Sequence, residues 1–286
     1  MAQIYIGTSG WSYPEGEGTW KGYFYPSGTK NELAYYSQFF NTVEVNSSFY
    51  RPPNPLIAAN WVKRTPSGFL FTVKLWQKFT HPKMYQESCG EEADISLDDI
   101  DMFRQSLEPI VKANKMGALL AQFPPSFKND GFGQGILKVI AKHFGEYRLA
   151  VELRHKSWSD DPEIAGLLRT HNIAWVQIDE PKFSTSIAAE LPVTADFAYF
   201  RFHGRNAEMW WKGTTETRYQ YLYSPAEISE LAEKVNAAGQ KTSLTFAFFN
   251  NHWKAYAPYN AGDMIKALQI PFTGLTAPNP DSPQML

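Results

Sequence analysis

Short apolar runs recur along the whole chain, and stretches with helical periodicity separate most of them. The runs begin near Ile4, Val43, Leu70, Ala118, Leu149, Ala174, Ala198 and Leu244. The amphipathic stretches cover residues 32–40, 55–63, 97–115, 134–144, 162–171, 225–238 and 260–268. Strands that alternate with helices predict a parallel sheet with helices packed on it. The crossover between Glu180 and Asp196 has the weakest helical pattern, and we expect it to lack a full helix.

Eight strand–helix units with no change of composition between them predict closure into a barrel. We therefore predict an α/β fold, a single (β/α)8 TIM-type barrel, over residues 1–276. An open, doubly wound sheet is the structural alternative. Residues 277–286 are rich in proline, and we expect them to form a disordered tail.

The composition excludes several classes of protein. Of the 286 residues, 43% are hydrophobic and 20% are charged, as in an ordinary globular domain. The net charge of −2 argues against a broadly basic surface for nucleic acid. A single cysteine permits no internal disulfide, and the chain has neither a secretory signal pattern nor an apolar run of membrane-spanning length. We expect a cytoplasmic protein without a membrane partner.

Alternation within the predicted strands places polar side chains inside the barrel. Successive strand residues face opposite sides of a sheet, so valines that meet helices in Val43-Glu44-Val45-Asn46 direct Glu44 and Asn46 inward. The same reasoning directs inward Lys74, Gln122, Glu152, Arg154, Gln177, Asp179, Arg201 and His203. Barrel interiors are usually apolar, and a buried unpaired charge is costly. These charges must therefore pair with one another, reach solvent or meet a ligand.

The loops that follow the strands carry a second set of candidates. Small residues in Gly7-Thr8-Ser9-Gly10-Trp11 would let backbone N–H groups approach an anion, so we expect Ser9 and Trp11 at the site. Asn250, Asn251 and His252 follow the last strand. Tryptophans near strand ends predict an aromatic rim for sugars or bases, or else they pack the loops onto the barrel. They are Trp11, Trp20, Trp76, Trp158, Trp210, Trp211 and Trp253.

Parallel barrel strands end at one face, which is where barrel enzymes hold their active sites. We expect Glu152, Asp179 and His203 to act there as general acids or bases. We expect substrate contacts from Ser9, Trp11, Glu44, Asn46, Lys74, Arg154, Arg201, Asn250, Asn251 and His252. The alternative interpretation of the charges is an ion-pair network that satisfies itself. Glu152, Asp179, His203 and His252 could converge on a divalent metal, but no motif indicates one, so no metal ligand or cofactor is assigned.

Several sequence blocks resemble the YecE-like family, domain of unknown function 72. They are Gly7-Thr8-Ser9-Gly10-Trp11, Val43-Glu44-Val45-Asn46-Ser47-Ser48-Phe49-Tyr50, Gln122-Phe123-Pro124-Pro125, Glu152-Leu153-Arg154, Tyr199-Phe200-Arg201-Phe202-His203-Gly204 and Asn250-Asn251-His252. The likeness runs from residue 4 to about residue 270. It implies a TIM-type barrel similar to that of endonuclease IV-type enzymes and, by that analogy, nucleic-acid binding. It implies no established activity, and the chain lacks an obvious set of histidines for a multi-zinc centre.

Three functions follow as hypotheses. The first is an enzyme, with hydrolysis the expected reaction class, acting on a phosphorylated or nucleic-acid-derived substrate whose anion is held by Lys74, Arg154 and Arg201. The second is a non-catalytic binding protein for single-stranded nucleic acid or a small ligand. The third is a glycoside hydrolase, which requires two carboxyl groups roughly 5–5.5 Å or 6.5–9.5 Å apart. The sequence assigns neither a particular substrate nor an oligomeric state.

Overall fold

The computed structural model describes residues 3–91, 95–214 and 217–271 as alternating strands and helices. The strands are β1 (Gln3–Thr8), β2 (Thr42–Val45), β3 (Leu70–Lys74), β4 (Met116–Gln122), β5 (Leu149–Glu152), β6 (Ile173–Trp175), β7 (Gln177–Asp179), β8 (Phe197–Phe202) and β9 (Leu244–Phe249). The helices are α1 (Glu32–Tyr36), α2 (Pro55–Lys63), α3 (Gln77–Thr80), α4 (Pro82–Cys89), α5 (Leu97–Lys112), α6 (Gly131–Phe144), α7 (Glu163–Thr170), α8 (Met209–Lys212), α9 (Pro225–Gly239) and α10 (Tyr256–Ala267). The tail predicted at 277–286 lies outside the described residues.

The strands form two parallel sheets, ordered β2-β3-β4-β5-β6 and β1-β9-β8-β7. The α/β class and the parallel pairing that the pattern predicted are therefore confirmed. The two sheets approach each other at both of their edges. Next to β1 and β2, Ser9 and Glu44 form an isolated parallel bridge, and the Gly10 N–H donates to the Glu44 carbonyl at 2.8 Å. Between β6 and β7 stands only Val176, whose N–H donates to the Val151 carbonyl at 3.0 Å.

The apolar pattern located the strands well and the longer helices nearly as well. Each predicted strand start lies within two residues of an observed one, and the sixth predicted strand is divided into β6 and β7. The pattern missed the short helices α3, α4 and α8. The signals for α4 were Pro82 at its first turn and Gly90, which follows it with a φ of 73°. Helices this short bury too little for a periodic apolar face to stand out.

The crossover between Glu180 and Asp196 contains no helix, as predicted. A polar side chain of β7 is directed at this irregular segment. The Gln177 amide bonds the irregular segment there, donating to the Leu191 carbonyl at 3.0 Å and accepting from the Leu191 N–H at 3.2 Å. Irregular chain leaves backbone groups unpaired, and polar strand side chains satisfy them. The prediction that Gln177 faces inward is therefore wrong.

The longest helices begin at sequence-encoded caps. At the start of α5, Ser96 accepts from the Asp99 N–H while the Asp99 carboxylate accepts from the Ser96 N–H. Ser224 and Glu227 form the same reciprocal pair at the start of α9. Each cap satisfies donors that a helix start leaves unpaired. None of the described helices combines the length and apolar character that crossing a membrane requires.

Candidate functional site

A buried ionic network joins the C-terminal ends of the strands. Arg201 of β8 donates to Glu44 of β2 through Nη2 at 2.7 Å and Nε at 3.0 Å. Its Nη1 lies 2.6 Å from Oε2 of Glu152 on β5. Both glutamates are fully buried, and Arg201 is 2% exposed. Charges can stay ionised at such depth because each is paired through short, charge-assisted hydrogen bonds.

The network continues beyond Glu152. Arg154 donates to Oε1 of Glu152 from Nε at 2.7 Å, and its Nη2 lies 2.6 Å from the same oxygen. On its other side, Arg154 Nη1 lies 3.3 Å from Glu180 Oε2. Burial alone would raise the pKa of Glu152, but the charges of Arg201 and Arg154 hold that pKa well below its usual range. Glu152 therefore stays a carboxylate and is a poor proton acceptor.

Two further residues complete this group. Burial raises the pKa of Glu180, partly opposed by Arg154. His203 Nε2 lies 3.2 Å from Arg154 Nη2, and its Nδ1 lies 3.0 Å from the Asn250 side-chain nitrogen. Burial lowers the pKa of His203 to about 3, so its imidazole is neutral near pH 7. The sequence prediction brought Glu152, Arg154, Arg201, His203 and Asn250 together correctly, and it missed Glu180.

Asp179 is not part of this network, so its prediction as a neighbour of Glu152 and His203 is wrong. Its carboxylate accepts from Arg205 Nη2 and from the Tyr223 hydroxyl, each at 2.7 Å. In the β7–β8 register Asp179 pairs with Phe202 and Ile178 pairs with Arg201. Paired residues of neighbouring strands share a face, so Ile178 faces the network and Asp179 faces away from it. The sequence argument chose the wrong phase of the alternation.

A cleft with a volume of about 480 Å³ opens over the network at the C-terminal ends of the strands. Its wall comprises residues 10–13 after β1, then Asn46, Ser47, Phe49 and Tyr50 after β2, Lys74 of β3, Gln122 of β4, Arg201 of β8, Tyr219, and finally Asn250 and His252 after β9. This volume lies within the usual range of small-molecule sites. Among the described residues, the wall carries two cations and no carboxylate.

Lys74 differs from the other cations of the site. Its ammonium nitrogen lies 3.9 Å above the Phe49 ring, and no carboxylate of the described chain lies within ion-pair distance of it. The side chain is half-buried at the cleft wall. Burial, together with the charge of Arg201, lowers the pKa of Lys74 to about 7. A lysine with this pKa is present as both amine and ammonium near neutral pH.

Two backbone N–H groups of the loop after β1 are not available to the predicted anion site. The Ser9 N–H donates to the Phe249 carbonyl at 2.9 Å, and the Gly10 N–H is taken by Glu44. These donors serve the neighbouring strands, so the predicted role for them is wrong. The Ser9 hydroxyl and the Asn46 side-chain oxygen are both buried and accept no hydrogen bond within the described residues.

The predicted tryptophan rim is mainly packing. Only Trp11 of the predicted set lies on the cleft wall within the described chain. Trp20 and Trp158 are fully buried, and their ring N–H groups donate to backbone carbonyls at 2.6 and 2.8 Å. The aromatic wall instead consists of Trp11, Phe49 and tyrosines 13, 50 and 219. The sequence indicated an aromatic rim but not which side chains would form it.

The remaining predicted residues fall into two groups. His252 lies on the cleft wall and stacks on Tyr13 with ring centres 4.6 Å apart. Asn251 lies outside the wall, because its amide is buried and donates to Tyr221 and Asn260, each at 2.8 Å. Over the described part of the chain, no three histidine, cysteine, aspartate or glutamate side chains are arranged to hold a metal ion.

Comparison with known proteins places this site in a family. The model of the family described as "Protein of unknown function DUF72" matches residues 5–285, and the chain belongs to this family. The UPF0759 protein YunF of Bacillus subtilis strain 168 is 30% identical over 95% of this chain and 97% of its own length.

Two solved structures of the family share the fold. A DUF72 family protein from Thermotoga maritima MSB8 is 37% identical, with a TM-score of 0.80 over 93% of this chain and 99% of that one. A DUF72 family protein from Enterococcus faecalis V583 is 27% identical, with a TM-score of 0.81 over 94% of this chain and 97% of that one. No specific function follows from these relatives, so function rests on the geometry of the cleft.

Proposed function

We propose that the two sheets belong to one closed (β/α)8 barrel that forms a single domain over residues 1–276. The Ser9–Glu44 bridge next to β1 and β2 supports closure at one edge. The short gap at Val176 supports closure at the other. Arg201, which bonds glutamates of the opposite sheet, supports a shared interior. An experimental structure with β1 and β2 apart would contradict this proposal.

We further propose that the cleft is the active site of an enzyme that acts on a small phosphorylated or nucleic-acid-derived compound. The observation that carries this proposal is the charge of the wall, where Lys74 has no carboxylate partner among the described residues. Buried cations are normally paired, so an unpaired one in a cleft is best satisfied by an anionic ligand. Asn46, Gln122 and Asn250 add amides that can bond a polar substrate.

The state of the other charges favours Lys74 as the anion's partner. Three donors of Arg201 are occupied by Glu44 and Glu152, and Arg154 is occupied by Glu152. Their role in this proposal is to hold the strand ends and to set the electrostatic field of the cleft. Lys74 is left as the wall cation whose charge a ligand can balance. The aromatic side chains can pack against the rest of the ligand.

The same geometry argues against the two other hypotheses. A glycosidase needs two carboxyl groups that face the substrate, whereas Glu44 and Glu152 are fully buried and clamped by arginine. A single strand of nucleic acid needs a long basic groove, whereas this cleft has a volume of only about 480 Å³. We therefore favour one small substrate over a polymer.

Calorimetric titration with inorganic phosphate and with a 5′-nucleoside monophosphate tests this proposal. Replacing Lys74 with Gln should weaken binding by about 10-fold or more, because a charged hydrogen bond contributes about 1.5–3 kcal/mol. Binding near pH 8 should also take up a proton, because an anion beside Lys74 stabilises its ammonium form. Repeating the titration in buffers with different ionisation enthalpies measures that uptake.

The matched control is Lys112→Gln, since Lys112 is 71% exposed and pairs with Glu108 on the surface of α5. This variant should bind as the unmodified protein does. Equal phosphate affinity in Lys74→Gln and in the unmodified protein, or no binding of either anion, would contradict the proposed site.

A further inference from the structure

Four lysines of the described structure are withdrawn from solvent, and three of them lie away from the cleft. Lys78 pairs with Asp99 at 2.8 Å, and Lys115 donates to the Val62 and Thr65 carbonyls at 2.9 and 2.8 Å. Lys254 lies over the rings of Tyr23 and Trp253. Lys74 lines the cleft, and among the described residues the close partner of its nitrogen is the Phe49 ring. An amine in this position is available to react with a bound molecule.

We propose that Lys74 is a catalytic nucleophile that forms an imine with a phosphorylated aldehyde or ketone bound in the cleft. This inference rests on the proposed function, since the phosphate is what brings the carbonyl compound to the site. It adds the reactive group and the substrate class. It also replaces hydrolysis, the reaction class expected from the sequence, with carbonyl chemistry.

The surroundings of Lys74 favour the reactive form of the amine. The Phe49 ring withdraws the nitrogen from water on one side. The nearby Arg201 guanidinium opposes a second positive charge. Desolvation and a neighbouring cation are the two means by which proteins activate a lysine for attack on a carbonyl.

The chemistry is balanced without any further reactant. The lone pair of the Lys74 nitrogen attacks the carbonyl carbon, a C–N bond forms, and the electron pair of the C=O π bond moves to oxygen. One proton of the nitrogen passes to that oxygen and gives a hydroxyl. The second proton of the nitrogen then passes to the hydroxyl, the C–O bond breaks, water leaves, and the nitrogen lone pair completes a C=N bond. Protonation of the imine restores one positive charge at this position. The phosphate of the same molecule therefore keeps its counter-charge.

The wall around Lys74 can complete such a site. Asn46, Gln122 and Asn250 supply amide groups for the hydroxyls of a small sugar-like chain. The Asn46 side-chain oxygen is buried beside the cleft and has no hydrogen-bond donor in the described structure. Glu152 and His203 are weak bases here, because Arg201 and Arg154 hold the pKa of Glu152 well below its usual range and burial lowers the pKa of His203 to about 3.

Reductive trapping tests this inference directly. The full-length protein is incubated with D-glyceraldehyde 3-phosphate and cyanoborohydride, which delivers hydride to an imine carbon, and the adduct is located by peptide mass spectrometry. We expect one dominant adduct on Lys74, its formation slowed by inorganic phosphate and much weaker with unphosphorylated D-glyceraldehyde. Lys78 and Lys112 serve as internal controls and should stay unmodified under the same conditions.

The variant Lys74→Arg separates this inference from the proposed function. Arginine keeps the positive charge but does not form an imine, so this variant should bind phosphate and lose the adduct. Phosphate binding by the unmodified protein without an adduct on Lys74 would overturn the imine and leave the anion site standing. If the unmodified protein neither binds phosphate nor forms an adduct on Lys74, both the anion site and the imine are overturned. If Lys74→Arg does not fold, the peptide map of the unmodified protein and its protection by phosphate decide the question, and equal labelling of exposed lysines would refute it.

Discussion

Replacement of Arg201 with Met is the most severe test of the buried ionic network. Arg201 is 2% exposed and supplies two hydrogen bonds to Glu44 and one to Glu152. Met fills a similar volume without a charge. Glu152 would keep Arg154 as a partner. Among the described residues, the hydrogen-bond donor left to the Glu44 side chain would be the Tyr199 hydroxyl, at 2.7 Å. The variant therefore buries one carboxylate without an ion-pair partner in direct contact, since Lys74 acts on Glu44 only at longer range.

The expected loss follows from this uncompensated charge. Breaking a buried ion pair by removing one partner costs about 3–5 kcal/mol of the free energy of unfolding. At about 2–4 °C for each kcal/mol, the melting temperature should fall by roughly 6–20 °C.

Urea unfolding followed by circular dichroism measures this loss. The double variant Glu44→Gln/Arg201→Met should recover part of the stability, because it removes the orphaned charge as well. The surface control Lys112→Met should change the free energy of unfolding by no more than about 0.5 kcal/mol. A loss below about 1 kcal/mol in Arg201→Met would refute the network as an ion-paired core.

Three further substitutions test other parts of the structure. Gly204→Ala should destabilise the loop after β8 by about 1–3 kcal/mol, which thermal melting would detect. The reason is that Gly204 has a φ of +90° and that a Cβ there would lie 2.7 Å from the Cβ of Tyr221. Lys115→Met should cost about 1–3 kcal/mol in urea unfolding, because Lys115 Nζ bonds both the carbonyl and the hydroxyl of Thr65. Tyr199→Phe removes the hydroxyl that donates to buried Glu44 and should cost about 1–3 kcal/mol in urea unfolding. For each of the three variants, an unchanged unfolding midpoint would contradict the contact it removes or disturbs.

The fold was more predictable than the site because strands are encoded by local patterns. The eight apolar runs located the strands, the sixth of which is divided into β6 and β7. Alternation directed Glu44, Lys74 and Glu152 to the same site around Arg201. The same rule failed at β7, where Gln177 and Asp179 share one face and Ile178 lies on the other. Which face is buried there depends on the crossover that covers Gln177, and that is a tertiary contact. Local alternation cannot decide a strand of this kind.

Ion pairing at the site was predictable in outline but not in its assignments. The sequence supplied nearly balanced charges on the inferred interior, which indicated pairing. It could not show that Arg201 would take both glutamates and leave Lys74 without a carboxylate in the described structure. That outcome depends on distances between side chains of β2, β3, β5 and β8, which lie far apart in the chain. The sequence also could not show that the Phe49 ring lies over the Lys74 nitrogen and desolvates it.

The pKa of Lys74 is the measurement that bears most directly on the account of the cleft. Lysine labelled with ¹³C at Cε can be titrated by NMR, and the Lys74 resonance can be assigned by its absence in Lys74→Arg. The account predicts a midpoint at about 7. Between this value and the unfolded value of about 10.4, the folded state binds fewer protons, so stability should rise with pH through this range. A Lys74 that titrates with the surface lysines near 10.4 would contradict an unpaired, desolvated amine in this cleft.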